Sequence, residues 1–348
     1  MLYFDSDYMR GACQPIMDRL VATNLEQTRG YGSDPYTERA KRLILRACDL
    51  EQGGSVSLLV GGTQTNATVI DGILRNYEGV IAAHTAHINV HEAGAIEASG
   101  HKVLTLPSAD GKLTAAQVDD YVREFYADET FDHMVIPGMV YITQPTEFGG
   151  LYSLEELTLL SKVCRKWGIP LYVDGARLAY ALGAEANDVS LGELARLADV
   201  FYIGGTKCGA LFGEAVVTSR PEMMPHFFTV VKQHGALFSK GRILGLQFET
   251  LFTDGLYSQL GQSAVRMALK LRDGFEAKGY RMLLPSPTNQ QFPVLPNEVM
   301  DSLKEVASFE VWGVRGEKET TVRFVTDWAT TEADIDQLIA HLPQNPNL

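Results

Sequence analysis

Between residues 55 and 220, short apolar runs alternate with longer stretches whose apolar positions recur every three or four residues. Ser55–Val60 (SVSLLV) predicts a strand, and Thr63–Arg75 a helix opening directly behind Gly61-Gly62. Val80–Ala83 is a short apolar run, Asn89–Ser99 a helix, and Lys102–Leu106 a strand. Thr114–Phe125 has helical spacing behind an N-cap threonine, Met134–Gln144 is β-rich, and Ser153–Trp167 is a helix with a serine cap. Leu171–Val173 and Val200–Ile203 read as buried strands, the second ending in Gly204-Gly205. Such alternation predicts an α/β unit with a mainly parallel sheet covered on both faces. Arg242 to about Ala277 reads as one or two long helices leading out of it. Beyond them, Gln290–Val294, Phe309–Val314 and Thr321–Thr326 are β-like and Asn297–Ala307 and Glu332–His341 helical. That order lacks strict alternation and predicts a smaller α+β C-terminal domain. The expected division is 1–245 and 246–348.

Composition narrows the class. In 348 residues, 45% are hydrophobic and 21% charged, enough for a sizeable core and too apolar for extended disorder. No apolar run approaches the roughly eighteen residues of a membrane helix. Asp and Glu number 43 against 30 Lys and Arg, and no basic run gathers a face for nucleic acid. Cys13, Cys48, Cys164 and Cys208 are far apart, which argues against structural zinc and a disulfide framework. The opening MLYFDSDYMRGAC carries acids where a signal peptide needs a basic then apolar stretch, so a cytoplasmic location is expected.

In parallel sheets ligands bind beyond the carboxyl ends of the strands. Four such ends carry chemistry. Gly61-Gly62-Thr63-Gln64-Thr65-Asn66 sits between strand and helix, where free N–H groups and the helix dipole suit an anion; a plain βα turn is the other reading. Asp174, ending an apolar strand, needs a cation, either a protonated pyridine nitrogen or Arg177 three residues on. Lys207, in GGTKCGA, is walled by small residues that leave room for a flat ligand, and desolvation there lowers an amine pKa. His84, His87, His91 and Glu92 raise the question of a metal, but no HExxH accompanies them.

A phosphate cradle, a histidine, an aspartate and a lysine, in that order, resemble a pyridoxal phosphate enzyme of the aspartate-aminotransferase type of fold (fold type I). More narrowly, the chain resembles the low-specificity L-threonine aldolase family within the β-eliminating lyase group. The segments that carry the resemblance are FDSD at 4–7, GYGSDPYT at 30–37, GGTQTN at 61–66, AHINVHEAG at 86–94, QPTEFGG at 144–150, VDGARL at 173–178, GGTK at 204–207 and VRFVT at 322–326.

The resemblance implies pyridoxal 5'-phosphate in Schiff-base linkage to Lys207, with Thr206 beside it. Gly62 and Thr63 would hold the phosphate, His87 would stack on the pyridine ring, and Asp174 would bind the ring nitrogen. Ser6, Arg177 and Arg323 would grip the substrate carboxylate, so the N-terminal segment 1–14 would reach the site. Tyr31, and Lys240 or Arg242, would approach from a neighbouring subunit of a homodimer or homotetramer. The implied reaction is cleavage of a β-hydroxy-α-amino acid to glycine and an aldehyde; β-elimination and racemisation would use the same residues. The chain departs from the family pattern at Glu147, where a second histidine is usual, at Thr206 for serine, and at Cys208 for glycine. The base that takes the β-hydroxyl proton therefore stays open among His87, Glu147 and a water held by them.

Overall fold

The computed structural model describes residues 1–345. Its centre is a seven-stranded sheet: β1 Ser55–Leu59, β2 Glu78–Ala83, β3 Lys102–Leu106, β4 Ile136–Thr143, β5 Leu171–Asp174, β6 Val200–Gly204 and β7 Glu214–Thr218. The spatial order is β1-β7-β6-β5-β4-β2-β3. β7 runs antiparallel to both neighbours, β1 and β6, and all other pairs are parallel. Every residue of β5 and β6 is buried, as expected of strands covered on both faces. The Thr114 and Ser153 caps form as anticipated, each closing a capping box on its helix.

Several expectations change in detail. The helix anticipated over 89–99 is two short ones, His87–Val90 and Ala95–Ala98, because Ala93 and Gly94 take positive φ between them. Arg242–Ala277, expected as one or two helices, is two, Arg242–Leu251 and Leu256–Ala277, broken at Asp254 and Gly255, both at positive φ. The helix from Asn297 stops at Leu303. Of 309–314 only Glu310–Val311 pairs, and Pro293 separates Gln290–Gln291 from Val294–Pro296. β7 was not anticipated at all.

Two glycines let the carboxyl ends of β5 and β6 touch. A Cβ on Gly175 would lie 1.9 Å from the Tyr202 carbonyl oxygen, and one on Gly204 would lie 2.3 Å from that of Ala176. No other residue fits, so the Asp174 and Lys207 loops are held against each other.

Beyond Leu256–Ala277, strand Glu319–Val325 pairs antiparallel with Gln290–Gln291, Val294–Pro296 and Glu310–Val311. These elements enclose a second hydrophobic cluster that includes Leu271, Phe275, Val322 and Phe324. The chain's beginning joins it: Leu2–Tyr3 pairs parallel with Ala307–Ser308, Phe4 is buried in that cluster, and Val325 N donates to Phe4 O at 2.9 Å. The following residues, Ser6 and Asp7, are thereby carried to the carboxyl edge of the large sheet. Among the described residues, no helix is long and apolar enough to cross a membrane.

Candidate active site

At that edge lies a cavity of about 250 Å³. Gly62, Thr63, His87, Glu147, Asp174, Arg177, Thr206 and Lys207, far apart in sequence, all line it. Gly62 opens the helix Gly62–Ile73, whose N-cap Gly61 offers no side chain to its first N–H groups. Those donors, and the positive end of the helix, are free for an anion. A Cβ at Gly62 would come within 3.3 Å of Tyr202 Oη, so the glycine keeps the cradle open.

Asp174 is 2% exposed. Its Oδ1 accepts from Ala176 N at 2.9 Å, and its Oδ2 from Tyr141 Oη at 2.6 Å and Asn66 Nδ2 at 3.0 Å. Among the described residues no cation pairs with it. Arg177, the protein-side alternative, turns instead to Asp7, donating from Nε to Oδ2 at 2.7 Å and from Nη2 to Oδ1 at 3.1 Å. A buried carboxylate held by three neutral donors suits an N–H⁺ arriving with a ligand.

Lys207 forms no ion pair among the described residues. Burial and the neighbouring Arg177 charge push its amine below the ordinary lysine range, against the pull of Asp7, Asp174 and Glu214. A neutral amine there is a nucleophile. Thr206 ties the loop to β7: its Oγ1 donates to Glu214 Oε1 at 2.7 Å and accepts from Gly213 N at 3.0 Å. Burial pushes the Glu214 carboxyl up to about 8.

Glu147 is also lifted by burial. Its Oε1 accepts from His87 N at 2.8 Å and Thr143 Oγ1 at 2.9 Å, while its Oε2 is buried without a partner among the described residues. His87 Nδ1 lies 2.7 Å from Glu92 Oε1. The other two histidines do not join it on a metal: His84 Nδ1 accepts from Ser108 N, and among the described residues no three His, Cys, Asp or Glu side chains are placed to hold one.

The remaining anticipated residues lie outside this lining. Ser6 is buried beside Asp7. Arg323 donates to Gln290 Oε1 at 3.0 Å, to Asp5 O at 3.3 Å and to Glu310, and its Nε is buried without a partner among the described residues. Tyr31 lines a separate cleft of about 240 Å³ with Phe238 and Gly241, where Lys232 Nζ sits 4.7 Å from its ring. Lys240 is exposed, and Arg242 Nη2 donates to Thr23 O at 2.9 Å. Sequence reasoning assigned no role to Asn66 or Asp7, although each stands inside a quoted motif, and weighed Glu92 only as a metal ligand. Glu214 and Tyr202 carried no motif signal.

Among the described residues the cavity offers an anion cradle, a lysine amine pushed below its ordinary range, a buried carboxylate without a cation and an imidazole, which together fit pyridoxal phosphate. Comparison with known proteins gives the same direction. A family model described as "Beta-eliminating lyase" matches residues 4–309. The low specificity L-threonine aldolase of Pseudomonas sp. (strain NCIMB 10558) is 30% identical over 97% of this chain and 96% of its own. The solved structure of a Leishmania major threonine aldolase superposes with a TM-score of 0.95 at 40% identity, covering 98% of each chain. An aspartate aminotransferase from Thermus thermophilus, 15% identical, shares the fold at a TM-score of 0.69 over 98% of this chain and 90% of its own.

Proposed function

The chain belongs to the β-eliminating lyase family, and from that premise we propose that it cleaves β-hydroxy-α-amino acids of the threonine and allo-threonine type to glycine and an aldehyde. It is a pyridoxal-phosphate-dependent lyase. The observation that carries this reading is the convergence of Lys207, Asp174 and the Gly62 cradle on one cavity. When bound, the pyridoxal group supplies the sink for electrons released at the substrate's Cα.

The protein's own residues do the rest. Gly62 and Thr63 N–H groups would hold the phosphate, and Lys207 Nζ would carry the group. Asp174 would hold a proton on the ring nitrogen, and His87 would cover the ring. Arg177, Arg323 and Ser6 would fix the substrate carboxylate and so decide which Cα bond is placed for cleavage. A base then accepts the β-hydroxyl proton as the Cα–Cβ bond breaks and the aldehyde leaves, a contribution of about 10²–10⁴ in rate. Glu147 Oε2 and His87 Nε2 both face that task without a protein partner among the described residues.

The chain works as a homodimer or homotetramer in which a neighbour's Tyr31 and Lys240 or Arg242 complete the site. The position of Tyr31 in a cleft apart from its own Lys207 supports this. We further take 1–245 and 246–348 as its two domains, and the cytoplasm as its compartment. The test is incubation of the purified protein with L-threonine and with L-allo-threonine. Equal amounts of glycine and acetaldehyde support the reading; 2-oxobutyrate with ammonia would replace it by elimination.

A further inference from the structure

One buried carboxylate in the cavity has no role in the account so far. The Glu92 side chain is fully shielded, on the turn that follows His87–Val90. Its Oε1 lies 2.7 Å from His87 Nδ1 and accepts from Asn66 Nδ2 at 2.8 Å. The same Asn66 nitrogen donates to Asp174 Oδ2 at 3.0 Å. Tyr172 Oη donates to Asn66 Oδ1 at 2.8 Å, which fixes the amide so that only its nitrogen faces the two carboxylates. Glu92 Oε1 is therefore an accepting oxygen, and the imidazole nitrogen beside it must be the one that carries hydrogen.

We propose that Glu92 is a positioning residue: with Asn66 it locks the His87 ring as the Nδ1–H tautomer, leaves Nε2 as the acceptor facing the cavity, and ties that ring to Asp174. The arrangement follows the logic of a buried carboxylate orienting a histidine, in which loss of the acceptor allows the wrong tautomer. It binds the residue over one face of the cofactor's place to the residue at its nitrogen end, through a single amide. The spacing between His87 and Asp174 is then set by Asn66.

The inference rests on the lyase reading for its kinetic consequences but not for the tautomer itself. The experiment therefore has two arms. In the first, ¹⁵N spectra of the histidine ring, assigned by its loss in His87→Phe, are recorded with and without pyridoxal phosphate. The wild type should show hydrogen on Nδ1 and an acceptor Nε2, and Glu92→Gln should lose that pattern. In the second, Glu92→Gln should lower kcat for amino-acid cleavage by about tenfold to a thousandfold with little change in KM. Placed in the His87→Phe background it should cost less than about twofold more, since a residue acting through His87 has nothing left to orient. A wild-type ring with hydrogen on Nε2, or losses that multiply fully in the double variant, would overturn the proposal. Absence of pyridoxal phosphate binding would instead refute the lyase reading, while the tautomer is still read.

Discussion

Glu214 offers a sharp thermodynamic prediction. The residue is 3% exposed, its Oε1 accepts from the Thr206 hydroxyl, and Oε2 is buried without a partner among the described residues. Burial lifts it from 4.5 to about 8, so the folded protein binds a proton there that the unfolded chain releases. Stability from this group is complete below about 4.5 and is lost as pH rises through about 8. At 1.36 kcal/mol per pH unit, the ceiling on that loss is about 5 kcal/mol. Glu214→Gln keeps an acceptor for Thr206 and removes the ionisation. The cofactor-free variant and wild type should melt alike near pH 5, and the variant should melt higher by pH 9. In a chain this long 1 kcal/mol is worth about 2 °C, which makes the gap several degrees and at most about 10 °C. A gap that is the same at both pH values would refute the reasoning; a variant that falls below wild type at pH 9 would mean the carboxylate is ionised and paired.

Three further substitutions probe neighbouring parts. Burial alone would raise the Asp7 carboxyl, but the Arg177 and Lys207 charges and its hydrogen bonds outweigh that and hold it below the ordinary range. Asp7→Asn leaves the Arg177 guanidinium buried and unpaired, at a cost of about 3–5 kcal/mol near neutral pH in a denaturation assay. The loss should shrink in acid as wild-type Asp7 is itself protonated; a pH-independent loss would contradict the pairing. Arg323→Ala should raise KM for amino acids at least about tenfold while the cofactor's absorbance is unchanged, losing a charged carboxylate contact. Asp174→Asn should keep bound pyridoxal phosphate yet lower kcat by about a hundredfold or more, since a neutral amide does not hold a protonated ring nitrogen.

The strand ends were legible because their signals are local. GGTQTN, VDGAR and GGTK each place glycine or a charged residue directly after an apolar run, and all three arrive at the cavity edge. The alternation behind them gave the parallel sheet. Partners across the fold were not legible. Arg177 stands three residues from Asp174 and was weighed as its cation, yet topology delivers Asp7, 170 positions away, to the same guanidinium. β7 escaped notice because its five residues, EAVVT, begin with a glutamate, and that glutamate is the one lifted to about 8. The 89–99 segment has helical spacing, but spacing does not disclose the positive φ at Ala93 and Gly94 that breaks it into two short helices.

The most direct test of the central claim is chemical trapping at Lys207. The purified protein, supplied with pyridoxal phosphate, is reduced with borohydride before and after addition of L-threonine, digested, and its peptides weighed while aldehyde is assayed. The account predicts a visible absorbance band lost on reduction, the cofactor's mass on the Lys207 peptide alone, and aldehyde from the unreduced protein only. No band after added cofactor, or the added mass on a different lysine, would contradict it.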